Sequence, residues 1–166
     1  MPEDLQEGPA TFDFLKISQG TFMPSISLSE ADVVRVNLFR RSYNEYPSLP
    51  PSPGKANVWF ISGGNSQRDK QIIGGQFHYF PVDEETVSTY PSKQAIQAWE
   101  DLHNGKAFIA NLGSEDVKDI KIRRSYLAYY DSGVPMEFYQ PIIVFEGDND
   151  FVAYVPAVAS EYYSEE

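Results

Sequence analysis

The chain has 166 residues, of which 42% are hydrophobic and 14% aromatic, enough apolar material for a buried core and too much for wholesale disorder. A formal charge of −11 argues against nucleic acid, whose phosphates need clustered Lys and Arg, and against adsorption to anionic lipid. The absence of cysteine excludes disulfides, thiolate zinc sites, iron–sulfur clusters and cysteine nucleophiles, and it leaves the compartment open.

Residues 1–10 are polar and turn-rich and read as a loose, flexible tail. Residues 11–17 (TFDFLKI) alternate weakly, as a short strand or packed arm, and Ser27, Ser29, Glu30 and Asp32 read as a turn or one helical turn. The first clear strand is 33–41 (VVRVNLFRR), with Val34, Val36 and Leu38 on one side and Arg35, Asn37 and Arg41 on the other. Four prolines make 43–55 an extended, polyproline-like connection that Tyr43, Tyr46 and Leu49 can hold in place. Residues 56–62 (ANVWFIS) form an apolar strand. Gly63, Gly64, Asn65 and Ser66 turn it, and 71–80 (QIIGGQFHYF) return it with a bulge or kink at Gly74-Gly75.

Residues 90–105 (YPSKQAIQAWEDLHNG) give the one convincing helix. Ser92 is placed to cap its start, Gly105 to end it, and Ala95, Ile96, Trp99 and Leu102 form an apolar stripe with Trp99 as core anchor. Beyond it come a short apolar segment at 106–110, an acidic turn at 113–119, and a long strand at 120–130 with a bulge near Arg124-Ser125. Residues 138–147 and 151–158 then make a hairpin around Asp148, Asn149 and Asp150, with Pro156 at an edge or beyond pairing.

The two halves repeat one order of parts: a strand, a proline-containing loop, an apolar strand, a turn and a third strand. Arg40-Arg41-Ser42-Tyr43 also matches Arg123-Arg124-Ser125-Tyr126. Duplication and chance both remain open. The expected fold is α+β, mostly antiparallel sheet, as two β-meander units with the central helix packed on the sheet. Its parts are a flexible tail at 1–10, a first β-rich unit at 11–89, a helix plus second meander at 90–160 and an acidic tail at 161–166, all within one domain.

The run YPSKQAIQAWEDLHNGKAFI, followed by IKIRRSYLAYY and FYQPIIVFEGDNDFVAYVPAV, resembles the YycI/YycH-type extracytoplasmic regulators and the PepSY/YpeB-like domains. The resemblance covers residues 85–160 and, more loosely, 30–82. It implies cystatin-like units with a helix on a curved antiparallel sheet, a bacterial regulatory or binding role outside the cytoplasm, and no shared catalytic residues. Those families usually sit outside a membrane-anchoring helix. Membrane association of this protein is therefore expected only through an anchor absent from this chain, which has no stretch of spanning length.

Chemistry-bearing motifs are scarce. No HExxH, GxSxG, P-loop or dinucleotide fingerprint is present. His78 falls in a strand, and His103 falls where it complements a helix C-terminus. Glu146, Asp148 and Asp150 are weak calcium candidates whose plain alternative is a polar hairpin tip, and no cofactor is expected. The remaining candidates are tyrosines, with Tyr126, Tyr129, Tyr130, Tyr139 and Tyr154 chosen as binding residues. They either line a groove for a protein or peptide partner or cap the open face of a sheet. The reading is a non-catalytic extracytoplasmic binding or regulatory module. The alternatives are an assembly subunit associating through strand edges and, third, a carboxylate-dependent hydrolase.

Overall fold

The computed structural model describes residues 1–64, 67, 71–114 and 119–162. In chain order the elements begin with α1 (Glu3–Gln6), β1 (Ala10–Ser18), β2 (Thr21–Pro24), β3 (Val33–Leu38), β4 (Ser48–Leu49), β5 (Val58–Gly63) and β6 (Ile72–Phe77). They continue with α2 (Ala95–His103), β7 (Phe108–Asn111), β8 (Ile122–Tyr130), β9 (Pro141–Gly147) and β10 (Val152–Pro156). The protein is α+β, and its described residues form two five-stranded, mostly antiparallel sheets and one substantial helix. It divides into two units, Met1–Arg41 with Lys55–Tyr79 and Ser42–Gly54 with Phe80–Glu166.

This division differs from the expected single domain split at residue 89. The proline-rich connection belongs to the second unit because Ser48 and Leu49 of β4 pair in parallel with Tyr129 and Tyr130 of β8. Residues 80–89 go with the second unit as well. The expected tail at 1–10 is also corrected. Asp4 and Leu5 of α1 are buried, Arg40 Nη1 donates to Asp4 Oδ2 at 2.7 Å, and the Tyr79 hydroxyl donates to Asp4 Oδ1 at 3.0 Å. Gly8 lets the chain pass against the Phe39 carbonyl, where a Cβ has no room. A polar composition hid this anchor because the element is held by a buried ion pair rather than by an apolar stripe.

The first unit's sheet runs β2-β1-β3-β5-β6. Its registers place Phe12, Val36, Phe60 and Gly75 side by side across four strands, with Ala10, Leu38, Val58 and Phe77 in a neighbouring row. Alternation sends Thr11, Asn37, Trp59 and Gln76 to the opposite face, beside Asp13, Arg35, Ile61 and Gly74. β6 does carry an irregularity, but at Ile73 and not at Gly74-Gly75, since Gly74 and Gly75 pair regularly with Ile61 and Phe60 while Ser62 pairs with Ile72.

The second sheet runs β4-β8-β9-β10-β7. One face packs Ala128, Ile142, Val144 and Tyr154 with Leu49, Ala110 and Tyr130. The other packs Phe145 and Val155 against Ala98 and Leu102 of α2. The buried line of α2 is therefore Ala98 and Leu102, four residues apart. Ile96 is 58% exposed and Trp99 39% exposed, so Trp99 is a flanking contact on Phe145 and His103 and not the core anchor expected of it. The helix also starts later than expected. Gln94 occupies the cap position and its N–H donates to Gln97 Oε1 at 2.9 Å, whereas Ser92 forms a β-bridge with Val158.

Both sheets contain an uninterrupted antiparallel meander, β3-β5-β6 and β8-β9-β10, matching the repeated order of parts. The matching Arg-Arg-Ser-Tyr runs do not superpose, since residues 40–43 follow the end of β3 while residues 123–126 lie inside β8. Among its described residues the first unit also has no counterpart of α2. Among the described residues of 11–32, helical backbone is limited to a 3₁₀ turn at Leu28–Glu30. The β8 bulge falls at Arg123, and the β9–β10 turn is a 3₁₀ segment at Asp148–Asp150 with Asn149 at φ 56°. Pro156 pairs with Ile142 of the interior strand β9 but lies beyond the residues of β10 that pair with β7. The turn assigned to Asn65 and Ser66, most of the acidic turn at 113–119 and the end of the acidic tail lie outside the described residues.

Candidate functional site

The tyrosines singled out from sequence do not form one surface. Strand alternation puts Tyr126, Tyr130 and Tyr154 on the face of the second sheet away from α2. Tyr154 is only 2% exposed, donates its hydroxyl to the Pro50 carbonyl at 3.1 Å, and packs near Phe108 and Tyr130. It is a core residue, which removes it from the binding set. Burial pushes its phenol pKa well above the ordinary tyrosine value. Tyr126 is half-buried and donates to Glu146 Oε1 at 2.6 Å beneath the Arg124 guanidinium. Desolvation first, then that hydrogen bond, hold its phenol protonated too.

Tyr129 and Tyr139 belong to a separate aromatic cluster. Their rings stack at 5.4 Å and 13°, and Tyr43 meets both edge-on. Tyr46 adds a further edge contact to Tyr129 at 6.4 Å. This cluster is half-buried and ties the proline-rich connection to β8, so its aromatic area is largely spent on the fold.

The calcium candidates are likewise engaged. Arg124 donates through Nε and Nη2 to Glu146 Oε2, and Arg123 grips Asp148 with Nε–Oδ1 at 2.6 Å and Nη2–Oδ2 at 2.8 Å. Arg123 thereby holds the Asp148 carboxyl below its ordinary pKa. Two guanidiniums on these oxygens oppose a divalent cation, and Asp150 remains exposed. Among the described residues no three His, Cys, Asp or Glu side chains gather as metal ligands. His103 lies 4.7 Å from the Trp99 ring, and His78 is exposed after β6.

A shallow cavity of about 380 Å³ is lined by Ser92, Lys93, Gln97, Glu100, Asp101 and Glu161. Its Asp101 is bonded to Lys93 at 2.8 Å, with both side chains largely buried, and Lys106 approaches at 3.5 Å. Lys93 lowers the Asp101 pKa, which keeps the carboxyl ionised and structural.

The first unit carries an exposed apolar surface that the sequence reading did not single out. On its apolar face Phe12 is 59%, Ile72 62% and Phe77 51% exposed, with Phe14, Val34, Val36 and Phe60 half-buried between them. Beside this face β6 is an edge strand (IIGGQF) without a charged residue, and its outer side has no partner strand among the described residues. The signal was present in the alternation of Ala10, Phe12 and Phe14 and in the uncharged run at 72–77. Comparison with protein-family models, curated proteins and solved structures found no match to this chain.

Proposed function

We propose that this protein is a non-catalytic binding module that recognises a protein or peptide partner, acting outside the cytoplasm in a regulatory role. The observation that carries the reading is the open apolar face of the first unit's sheet, continuous with the uncharged edge of β6. A sheet face of this kind is stabilised by a second layer, and an unpaired edge accepts an extended strand through main-chain hydrogen bonds. The partner segment is extended, carries apolar residues at alternate positions, and is flanked by Lys or Arg to suit a chain of charge −11. The extracytoplasmic setting rests on the family resemblance. A leader or spanning helix encoded upstream supports it, and function as a purely cytoplasmic chain contradicts it.

Panning a displayed peptide library tests the reading. The wild-type protein is expected to enrich alternating apolar sequences that a Phe12→Lys, Phe77→Lys double variant no longer retains. Both side chains are more than half exposed, so the charges are tolerated by the fold. Enrichment that survives both substitutions overturns the reading. The same edge supports a second one, assembly of copies through β6. Light scattering across a concentration series separates the two, because growth in mass favours assembly and a persistent monomer favours a foreign partner.

A further inference from the structure

The edge of the first sheet opposite β6 ends in an arm. β1 pairs with β3 only as far as Leu15 with Val33, whereas its pairing with β2 runs on to Ser18 with Thr21. Residues 16–18 and 21–23 therefore project past β3 as a two-stranded ribbon. The arm is well fastened. Lys16 Nζ bonds Glu30 Oε2 at 2.9 Å, the Ile17 N–H donates to Asp32 Oδ2 at 2.8 Å, and the Ser25 N–H donates to the Phe14 carbonyl at 2.7 Å. Yet it buries nothing of its own, since the described residues 6–32 are all at least partly exposed. Ile17, Phe22 and Met23 stand about half open, Leu28 more so, and Ile26 is 96% exposed. A lone ribbon is marginal in water, and an ordered one with this much open apolar surface marks a contact.

The chemistry of the arm chooses its occupant. Residues 17–29 contain no charged side chain. The first unit balances seven Asp and Glu with seven Lys and Arg, so the whole charge of −11 falls on the second. A charged partner finds no counter-charge on the arm, whereas two copies meet there through neutral surfaces. Main-chain geometry then favours a strand over lipid. The bond from Ser25 to Phe14 fixes which pairs of this ladder are hydrogen-bonded. Alternation leaves Ile17 and Phe22 a non-bonded pair and turns the Phe22 N–H and C=O outward, where no strand lies among the described residues. Hydrocarbon penalises such groups, and the polar turn at 18–21 would have to enter it first.

An antiparallel β2 from a second copy, paired about a twofold axis at Phe22, accepts and donates both bonds. It also sets Ile17, Phe22 and the same two residues of the second copy in one apolar row across four strands. At about 200 Å² for a fully exposed large apolar side chain, the five residues offer roughly 600 Å² per copy, so two arms reach the lower end of specific interfaces.

We propose that the β1–β2 arm is a dimerisation arm, joining two copies of this chain through antiparallel β2 strands. The joint lies at the sheet edge opposite β6, so the dimer keeps both β6 edges free, and it stands whatever β6 binds.

Sedimentation velocity of the full chain, from about one to several hundred micromolar, is expected to show a monomer–dimer equilibrium that stops at two copies. Ile26→Asp and Phe22→Asp, with folding checked by circular dichroism, are each expected to weaken it at least about tenfold, while the Phe12→Lys, Phe77→Lys variant keeps it. Hydrogen exchange at the Phe22 amide is expected to slow as the dimer fills. Four outcomes overturn the proposal: a monomer at every concentration, whether or not it floats with phosphatidylcholine vesicles; a dimer that either arm variant leaves at full strength; a dimer lost in the Phe12→Lys, Phe77→Lys variant, which is assembly through β6; or unchanged exchange at Phe22. A persistent monomer leaves the peptide reading of β6 standing, so the two fail separately.

Discussion

Single side chains in this protein are largely committed to one another, and their titration exposes those commitments. The phenols of Tyr126 and Tyr154 have pKa values raised above 10.0, mainly by burial. A raised pKa means that the folded state keeps its proton where the unfolded state has lost it. The associated stability is complete below pH about 10 and disappears as pH climbs toward the folded values. Alkaline titration followed by phenolate absorbance should therefore leave these two tyrosines un-ionised until the second unit opens. Tyr154→Phe should cost about 1 kcal/mol through loss of the Pro50 bond. Asp101 has the opposite sign. Its pKa is lowered by Lys93, so its contribution is present above the ordinary carboxylate value of 3.8 and is lost as pH falls through the folded value. Asp101→Asn should be less stable than wild type by about 1–2 kcal/mol at neutral pH and should show a shallower acid slope in urea unfolding.

At the level of elements, strands were legible wherever alternation met turn chemistry, as in β3, β5 and the β9–β10 hairpin. The helix was legible as a helix but not in its packing. Its large apolar residues suggested a stripe through Ile96 and Trp99, yet α2 turns Ala98, which is fully buried, to the sheet and packs Leu102 beside it. Ala98→Leu should thus destabilise by about 1–3 kcal/mol through overpacking. Trp99→Ala should cost less than the roughly 3–5 kcal/mol of a fully buried tryptophan, and thermal melts of the two variants decide the order. What sequence could not reveal was pairing between distant segments. β4 has just two residues, with no pattern to announce its pairing with β8. The Asp4–Arg40 bond spans thirty-six positions in the chain and left residues 1–10 looking like a tail. The scatter of the chosen tyrosines over two clusters, with Tyr154 in the core, has a related reason, because a count of tyrosines carries no information about which face each one occupies.

The whole molecule joins two sheet-built units of unlike finish. The second covers one face with α2 and fills the other with Val144, Tyr154 and their neighbours. The first leaves Phe12, Ile72 and Phe77 open on one face and places an Arg–Trp–Asn cluster on the other. Under the proposed reading, recognition falls to the first unit and the second supplies a supporting core, where the tyrosine-based reading had placed it in the second. The most direct measurement is an amide chemical-shift map of the isotope-labelled protein titrated with a peptide enriched by panning. The account predicts saturable shifts along Ile72–Phe77 and around Phe12, with the amides of β8 and α2 unmoved. Shifts confined to Tyr126, Tyr129, Tyr130 and Tyr139, with β6 unchanged, would contradict it.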